Sequence, residues 1–279
     1  MRFTKMHGAG NDYVYVDLFR ERVPDPAALA RAISDRHTGV GSDGLILIGP
    51  SRRADVRMIM FNADGSEGEM CGNGVRCVGK YAYERGLARR REIDVETRAG
   101  IVHLSLRVRG GRVDEVTVDM GAPRPVPRAF YRRADGTRAV VPARVGGVEG
   151  WAVSMGNPHF VVPVDSVEEA PVERRGPRLE RHPDFPSRVN VEFVQVLSRG
   201  RFRQRTWERG SGETRACGSG ACAAAAALYW AGRTGRRVRA DLPGGTLRLE
   251  VKEDGRILMT GPAVEVFRGE WPTPRAGRR

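Results

Sequence analysis

The sequence predicts an α+β fold made of two homologous halves, and three observations support that prediction. A repeat with a constant offset of 146 residues relates Cys71-Gly72-Asn73-Gly74 to Cys217-Gly218-Ser219-Gly220. Short segments rich in β-branched residues and bounded by Gly, Pro or Asp are typical of strands. One clear helix follows the Cys-Gly-x-Gly element of each half. The length of 279 residues agrees with about two domains.

The repeat extends far beyond the tetrad. At the same offset it pairs Gly10-Asn11 with Gly156-Asn157, Gly44 with Asn190, Asn62 with Glu208, Glu67 with Glu213 and Gly86 with Gly232; a shift of one residue then pairs Gly100 with Gly245. A colinear series of this extent indicates a duplicated domain. The changeover must precede Gly156, and we interpret the Pro-rich stretch 122–128 as a connector or an edge.

The individual elements follow from local patterns. Eight strands are predicted, at 12–17, 45–48, 56–61, 101–108, 113–119, 160–164, 191–197 and 246–251. The two central helices should end near Gly86 and Gly232, where a left-handed residue is favoured, and the second contains the helix-forming run Ala223 to Ala227. Two further helices are predicted at 25–36 and 171–179. Each half is therefore a mainly β layer with a helix packed against it.

Composition excludes several classes of protein. With 40% hydrophobic and 29% charged residues, the chain can bury a core and is not disordered throughout. The longest apolar run, 221–231, is shorter than the ~20 residues of a membrane span, and the first residues lack the apolar stretch of a secretory signal. We expect a cytoplasmic protein that does not enter a membrane and keeps its four cysteines reduced.

The formal charge of +13 raises a different possibility, an Arg-rich nucleic-acid-binding protein. Lysine occurs only at positions 5, 80 and 252, and the arginines are scattered through every segment. We interpret them as a solvated surface and expect no nucleic-acid partner. Nucleic-acid binding stays the alternative from another functional class.

The two Cys-Gly-x-Gly elements are the strongest candidates for a site. A thiol at the head of a Gly-rich turn that opens a helix faces backbone N–H groups and the positive end of the helix dipole, so we expect a lowered pKa. The same N–H groups suit a carboxylate, and the glycines permit close approach. A pseudo-twofold would place Cys71 and Cys217 on opposite faces of one carbon in a shared cleft. This arrangement predicts a racemase or epimerase that needs no cofactor.

The cysteines allow other interpretations. Cys77 and Cys222 lie inside the following helices and are expected to be small buried residues. Zinc would require closer Cys spacing with His or Cys nearby in the sequence, so no metal is predicted. A disulfide between Cys71 and Cys217 is the remaining alternative.

The rare side-chain amides point to substrate binding. Asparagine occurs only five times, each time in a Gly-flanked or motif-like context: Asn11, Asn62, Asn73, Asn157 and Asn190. A single such Asn is usually a turn residue, but all five together favour a substrate with ammonium and carboxylate groups. Arg209 could fork a carboxylate, or Glu208 and Arg209 could form a surface ion pair. His159 could interact with a catalytic thiol or be structural.

The motifs together resemble the diaminopimelate epimerase family. They are KMHGAGNDYV, FNADGSEGEMCGNGVRC, MGNPH, RVN, ERGSGETRACGSGACAAA and DLPGG, and they cover essentially the whole chain. The resemblance implies a cofactor-independent enzyme that interconverts LL- and meso-2,6-diaminopimelate for lysine and peptidoglycan precursor synthesis. It implies two pseudo-symmetric domains, each a barrel-like mixed sheet around a central helix, with the active site in the cleft between them. The expected domains are 1–117, joined by the tail 263–279, and 118–262.

The resemblance also implies a role for each matching residue. Cys217 would deprotonate the LL isomer and Cys71 would protonate the other face. The other assignments are a cradle for the reacting end (Gly72, Asn73, Gly218, Ser219), a clamp for the substrate (Asn11, Asn62, Asn157, Asn190, Arg209) and groups that influence the thiols (His159, Glu208, the latter also near the reactive amino group).

Three further expectations complete the prediction. Some family members carry Gln where this chain has Gly44, so one binding contact is in doubt. We expect a small-molecule substrate and a homodimer, although no pattern fixes the oligomeric state. A proline or hydroxyproline racemase-type enzyme, with a similar pair of cysteines, is the nearest alternative activity.

Overall fold

The computed structural model describes residues 1–124, 126 and 141–272, without the side chains of 141 and 142. The chain divides into two compact units, one made of Met1–Val118 with Pro262–Arg279 and the other of Asp119–Gly261. Residues 125, 127 and 128 of the predicted connector at 122–128, and the tail from 273 onward, lie outside the described residues.

Four helices and eighteen strands make up the described chain. The helices are α1 (Pro26–Ser34), α2 (Gly72–Glu84), α3 (Val172–Glu180) and α4 (Gly218–Trp230). The strands are β1 (Arg2–Gly8), β2 (Asn11–Asp17), β3 (Gly44–Gly49), β4 (Val56–Asn62), β5 (Glu67–Gly68), β6 (Glu92–Thr97), β7 (Gly100–Arg109), β8 (Arg112–Asp119), β9 (Val141–Val145), β10 (Val148–Ser154), β11 (Pro158–Pro163), β12 (Asn190–Ser198), β13 (Arg201–Glu208), β14 (Gly212–Thr214), β15 (Arg237–Leu242), β16 (Gly245–Val251), β17 (Ile257–Gly261) and β18 (Val264–Glu270).

In the first unit a mixed sheet surrounds α2. Its strands neighbour one another in the order β18, β1, β2, β3, β4, β6, β7, β8, with β5 also paired to β4. The pairs β2–β3 and β4–β6 are parallel and the others antiparallel. Helix α2 contacts β1, β2, β4, β6 and β7, and it is buried over most of its length. Helix α1 packs on β2, β3 and β4 over an apolar cluster that includes Val14, Ile33 and Leu45.

The second unit repeats this arrangement around α4. The strand order is β9, β10, β11, β12, β13, β15, β16, β17, with β14 on β13. Helix α4 contacts β10, β11, β12, β16 and β17, and all eight residues from Ala221 to Leu228 are fully buried. A helix that is apolar all round belongs inside a core, and its run of alanines explains how strands can approach it on several sides.

The duplication is visible in the strand registers. The parallel pair Tyr13↔Gly44 has its counterpart in His159↔Asn190, 146 residues later. The bounds of α1 and α3, and of α2 and α4, differ by the same number. After the helices the offset falls by one, since Thr97↔Gly100 corresponds to Leu242↔Gly245. The predicted α+β class with two homologous halves is confirmed.

The predicted elements were correct but incomplete. Every predicted strand and helix exists, and its observed ends differ from the predicted ones by at most two residues. The largest difference at a strand start is in β11, which begins at Pro158, a position where proline is tolerated because no ladder N–H is needed. Helix α1 ends at Ser34 because the Asp35 carboxylate accepts the backbone N–H groups of His37 and Thr38 and turns the chain.

Strand β18 closes the sheet of the first unit, and β9 closes the sheet of the second. Strand β18 follows β17 in the chain but pairs with β1, whereas β9 follows β8 and pairs with β10. The Met1 ammonium donates to the Trp271 carbonyl at 3.0 Å, and the Trp271 N–H donates to the Met1 carbonyl at 2.7 Å. The first residue and the end of the last strand therefore lie side by side.

Among the described residues, no helix combines the length and apolar character needed to cross a membrane.

Candidate active site

Cys71 is the N-cap of α2, the central helix of the first unit. Its backbone is extended, and its sulfur accepts the N–H of Gly74 at 3.3 Å. The half-buried thiol donates to Asn11 Oδ1 at 3.2 Å. The sequence thus places this thiol where the positive end of the helix and one side-chain amide meet.

The Asn11 amide is held in one orientation by an acidic neighbour. Its Nδ2 donates to Asp43 Oδ2 at 2.7 Å, so its oxygen faces Cys71. The same Asp43 oxygen accepts the N–H of Asp12, and its other oxygen accepts Arg36 Nη2 at 2.9 Å. Burial raises the pKa of Asp43. Asp43 therefore fixes the orientation of the Asn11 amide toward Cys71.

The first turn of α2 is tied together by a buried arginine. Arg76 is fully buried and donates to Asn73 Oδ1 at 2.9 Å and to the carbonyl oxygens of Gly72 and Pro262. The predicted cradle residues Gly72 and Asn73 are thus rigidly held. Asn62 has a more local role, since its Nδ2 donates to Ser66 Oγ at 2.9 Å within the turn after β4.

Cys217 is the N-cap of α4 in the second unit, and its surroundings differ from those of Cys71. Its side chain makes no capping hydrogen bond, and the residue is only 5% exposed. Its sulfur lies 3.6 Å from Ser219 Oγ. Ser219, in the first turn of α4, therefore lies next to the thiol, and its role in a substrate cradle stays a prediction.

The pKa of Cys217 contradicts the expectation from its helix position. Burial raises this pKa well above that of an ordinary thiol, and the nearby Glu208 and Glu192 carboxylates raise it further. The lowered pKa predicted from the helix dipole is therefore wrong for Cys217. Burial and two negative side chains outweigh the dipole, whose effect is on the order of 1 kcal/mol.

Glu208 is half-buried. Its Oε1 accepts Thr214 Oγ1 at 2.5 Å. Burial raises the pKa of Glu208, and the neighbouring Glu192 acts in the same direction. The alternative of a surface Glu208–Arg209 ion pair does not describe this carboxyl.

A chain of hydrogen bonds leads from the turn of α4 to a buried glutamate. Asn157 Nδ2 donates to Ser219 Oγ at 3.3 Å, and Asn157 Oδ1 lies 3.0 Å from His159 Nε2. His159 Nδ1 lies 2.8 Å from Glu192 Oε1, and both side chains are fully buried. The structure thus brings Asn157, His159 and Ser219 together beside Cys217.

Asn190 and Arg209 are engaged with backbone groups. Asn190 Nδ2 donates to the Pro158 carbonyl at 3.0 Å, and its Oδ1 accepts the Arg209 N–H at 2.9 Å. The Arg209 guanidinium donates to the Ser187 carbonyl at 3.2 Å. Asn190 therefore ties the start of β11 to the loop after β13, which fixes where Arg209 stands.

Sequence reasoning missed Glu192 and Asp43. The signal available in the sequence was an acidic residue between apolar ones, Val191-Glu192-Phe193-Val194. In the structure the first five residues of β12 are all buried. Asp43 stands next to Gly44 at the start of β3 and carried no comparable signal. Cys77 and Cys222 are fully buried, as predicted.

One group of side chains could hold a metal ion. Donor atoms of His159, Glu192 and Cys217 all lie within 4.8 Å of one another. These residues come from β11, β12 and the start of α4, so the local Cys spacing used to argue against a metal did not test this combination.

Gly44 is closely packed in this chain. A Cβ at this position would lie 2.1 Å from the Phe61 carbonyl oxygen and 2.9 Å from Tyr13 Cε1. The pairing of β3 with β4 thus occupies the space next to this glycine.

Comparison with known proteins gives a consistent result. The family model described as diaminopimelate epimerase matches residues 3–126 and 151–266. A diaminopimelate epimerase of Moorella thermoacetica is 52% identical over 98% of this chain and 99% of its own length. That of Desulfovibrio desulfuricans is 51% identical over 97% and 98%.

Solved structures share the fold at low sequence identity. A probable proline racemase from Agrobacterium radiobacter aligns with a TM-score of 0.72 at 17% identity, covering 99% of this chain and 94% of its own. A PhzF-family phenazine biosynthesis protein from Bacillus anthracis aligns with a TM-score of 0.73 at 17% identity, covering 98% and 99%. At this identity the likeness concerns the fold alone. The family model matches nearly the whole chain, and the relatives named above are 51–52% identical to it in sequence. The chain therefore belongs to the diaminopimelate epimerase family.

Proposed function

We propose that this protein interconverts LL- and meso-2,6-diaminopimelate by a two-base mechanism in which Cys71 and Cys217 serve one substrate carbon. The observation that carries the proposal is the pair of thiols at equivalent helix N-caps in a chain of this family. One cysteine removes the α-proton as thiolate, and the other returns a proton to the opposite face as thiol. The mechanism requires both thiols to reach the same carbon, one from each half.

The surroundings of each thiol suggest how its protonation is controlled. Cys71 faces Asn11 and the first turn of α2, whereas Cys217 shares its surroundings with two carboxyls. In the meso-to-LL direction Cys217 acts as the acid, for which a thiol of raised pKa is suited. In the other direction, a substrate ammonium beside Glu208 would offset the negative charge and favour the Cys217 thiolate.

Substrate binding is assigned to the side chains around the two helix starts. Backbone N–H groups of the first turns, at Gly72-Asn73 and Gly218-Ser219, suit the carboxylate at the reacting carbon. We assign the remaining substrate contacts to Asn11, Asn62, Asn157, Asn190, Glu208 and Arg209. His159 and Glu208 tune the thiol of Cys217. The reaction needs no cofactor in this proposal, because proton removal and return by thiols completes it.

The biological setting belongs to the same proposal. The enzyme works in the cytoplasm, in lysine and peptidoglycan precursor synthesis, and acts as a homodimer. Support for the dimer comes from β18, which presents Val264, Val266 and Phe267 to solvent at 38%, 54% and 46% exposure. Within the described residues β18 pairs only with β1, and an open apolar edge of this kind favours pairing with a second copy.

The decisive experiment is deuterium exchange. Purified protein is incubated in deuterated water with LL-diaminopimelate and, separately, with L-proline, and Cα deuteration is followed by mass spectrometry and NMR. We expect exchange and formation of the meso isomer with diaminopimelate alone. Exchange on proline without any on diaminopimelate would overturn the substrate assignment.

The mechanism is tested with matched cysteine variants. Cys71→Ala and Cys217→Ala should abolish epimerisation while circular dichroism stays native. The controls Cys77→Ala and Cys222→Ala remove thiols from the same two helices and should keep turnover. Full turnover by either Cys71→Ala or Cys217→Ala would refute the two-base scheme.

A further inference from the structure

A compact group of three donor atoms lies in the core of the second unit. His159 comes from β11, Glu192 from β12 and Cys217 from the start of α4, and one donor atom of each lies within 4.8 Å of the others. The side chains of His159 and Glu192 are fully buried, and Cys217 is 5% exposed. All three residues belong to one unit, so their arrangement is set by its own sheet and helix.

One oxygen of Glu192 lacks a hydrogen-bond partner. Its Oε1 lies 2.8 Å from His159 Nδ1, but Oε2 is buried without a partner among the described residues. Leaving a buried polar oxygen unsatisfied costs roughly 1–3 kcal/mol, and a bound ion is one way in which such an atom is satisfied. The carboxylate is accommodated because Gly220 has no side chain, since a Cβ there would lie 2.5 Å from Oε1.

Charge in this region favours a cation. Glu208 and Glu192 both act on Cys217, and burial weakens the screening of their charges. A divalent ion placed among them would reverse the local balance and stabilise a thiolate. The donor set of imidazole, carboxylate and thiolate suits Zn²⁺ rather than Mg²⁺ or Ca²⁺, which prefer oxygen ligands.

We propose that His159, Glu192 and Cys217 form a binding site for one divalent ion of the zinc class, and that its occupation inhibits the enzyme by capturing the Cys217 sulfur. The sulfur forms a bond to the ion and the thiol proton leaves to solvent. Glu192 Oε2 supplies the carboxylate ligand and one imidazole nitrogen of His159 completes three protein ligands. The fourth position is open, as in zinc sites that exchange ligands.

The geometry requires only a small adjustment. Donor atoms around a tetrahedral zinc ion lie about 3.3–3.6 Å apart, so atoms that are already within 4.8 Å need to approach by about 1 Å. Rotation of the Cys217 and Glu192 side chains can supply this without moving the sheet.

Cobalt spectroscopy tests binding independently of enzyme activity. Reduced, metal-free protein is titrated with Co²⁺ under anaerobic conditions, then with Zn²⁺. We expect one Co²⁺ per chain, a sulfur-to-cobalt charge-transfer band, visible bands of tetrahedral cobalt, and loss of all of them when Zn²⁺ displaces the cobalt. Absence of the charge-transfer band at saturating Co²⁺ would overturn the proposal.

Variants locate the site. Cys217→Ser should remove the charge-transfer band and Glu192→Gln should weaken binding by ~10-fold or more, whereas Cys71→Ser and the exposed control Glu253→Gln should leave both unchanged. Circular dichroism confirms folding of each variant. Loss of the band in Cys71→Ser, or equal affinity of Glu192→Gln and Glu253→Gln, would overturn the assignment.

Inhibition is the one part that rests on the proposed function. If the protein epimerises diaminopimelate, Zn²⁺ should inhibit it reversibly, with recovery on addition of a chelator and weaker inhibition of Glu192→Gln. If binding is seen by cobalt spectroscopy and no epimerase activity exists, the site stands and the proposed function fails. Full activity at saturating Zn²⁺ would overturn the inhibitory role.

Discussion

Replacing Gly44 by alanine should destabilise the first unit strongly. The added Cβ would lie 2.1 Å from the Phe61 carbonyl oxygen, 2.9 Å from Tyr13 Cε1 and 3.2 Å from Asn62 Cα. Two of these atoms belong to the backbone of β4, which pairs with β3 at this point through Gly44↔Asn62. Backbone atoms cannot rotate away as a flexible side chain can, so β4 itself must move by more than 1 Å.

The size of the effect follows from two contributions. Overpacking of a well-packed interior costs about 1–3 kcal/mol, and a distorted ladder hydrogen bond adds roughly 0.5–1.5 kcal/mol. The free energy of unfolding should therefore fall by about 2–4 kcal/mol. At 2–4 °C per kcal/mol, this corresponds to a decrease in Tm of roughly 5–15 °C.

Gly49, at the other end of the same strand, is the matched control. A Cβ there would lie 3.4 Å from Leu18 Cδ1, an ordinary contact, so Gly49→Ala should change stability by about 0.5 kcal/mol or less. Differential scanning calorimetry gives both Tm values, and amide hydrogen exchange in β3 and β4 locates the loss. Equal Tm values for Gly44→Ala and Gly49→Ala would refute the packing argument. Gly44→Gln should be at least as unstable, without a gain in substrate affinity.

Three further outcomes are expected. Burial raises the pKa of Cys77 from 9.0 to about 11. Because the folded state favours the protonated thiol, this group stabilises the protein fully below pH 9, and the stabilisation is lost as the pH rises through 11. The total loss in the free energy of unfolding is about 3 kcal/mol. Chemical denaturation at pH 8 and pH 11 should show a smaller decrease for Cys77→Ala than for the parent, and parallel curves would contradict this assignment. Asp43→Asn should reduce kcat ~10-fold because the Asn11 amide loses its fixed orientation toward Cys71, while the exposed control Asp254→Asn keeps its rate; equal rates would show that Asp43 does not position Asn11. Val266→Lys places a charge on the exposed face of β18 and should convert the dimer to a monomer in analytical ultracentrifugation; a persistent dimer would place the interface elsewhere.

Local patterns predicted what depends on local chain geometry. The Cys-Gly-x-Gly elements indicated the starts of α2 and α4, and the repeat predicted a duplicated architecture before any strand was paired. Strands such as β13 and β15 escaped prediction because arginines occupy their outward-facing positions and interrupt the apolar pattern. Such strands form because their alternate residues, Phe202, Val238 and Ala240, are buried in the core.

The character of the Cys217 site depended on packing over long sequence separations. Alternation along a strand would have placed one face of β12 in solvent, yet its first five residues are buried on both faces. Glu192 is therefore an interior carboxylate beside Cys217. A helix N-terminus alone predicted a lowered pKa for Cys217, and only the assembled core shows the burial and the two acidic neighbours that raise this pKa instead. Asp43 likewise gained its role only when β2 and β3 paired and brought it to Asn11.

The pairing of β18 with β1 has a consequence for biosynthesis. A ribosome releases the first 118 residues early, but the strand that closes their sheet, β18, is made only after the second unit. The described strands of the second unit lie between residues 141 and 261 and are all made before β18. We therefore expect the second unit to complete its sheet first, while the sheet of the first unit keeps an open edge until β18 has been translated.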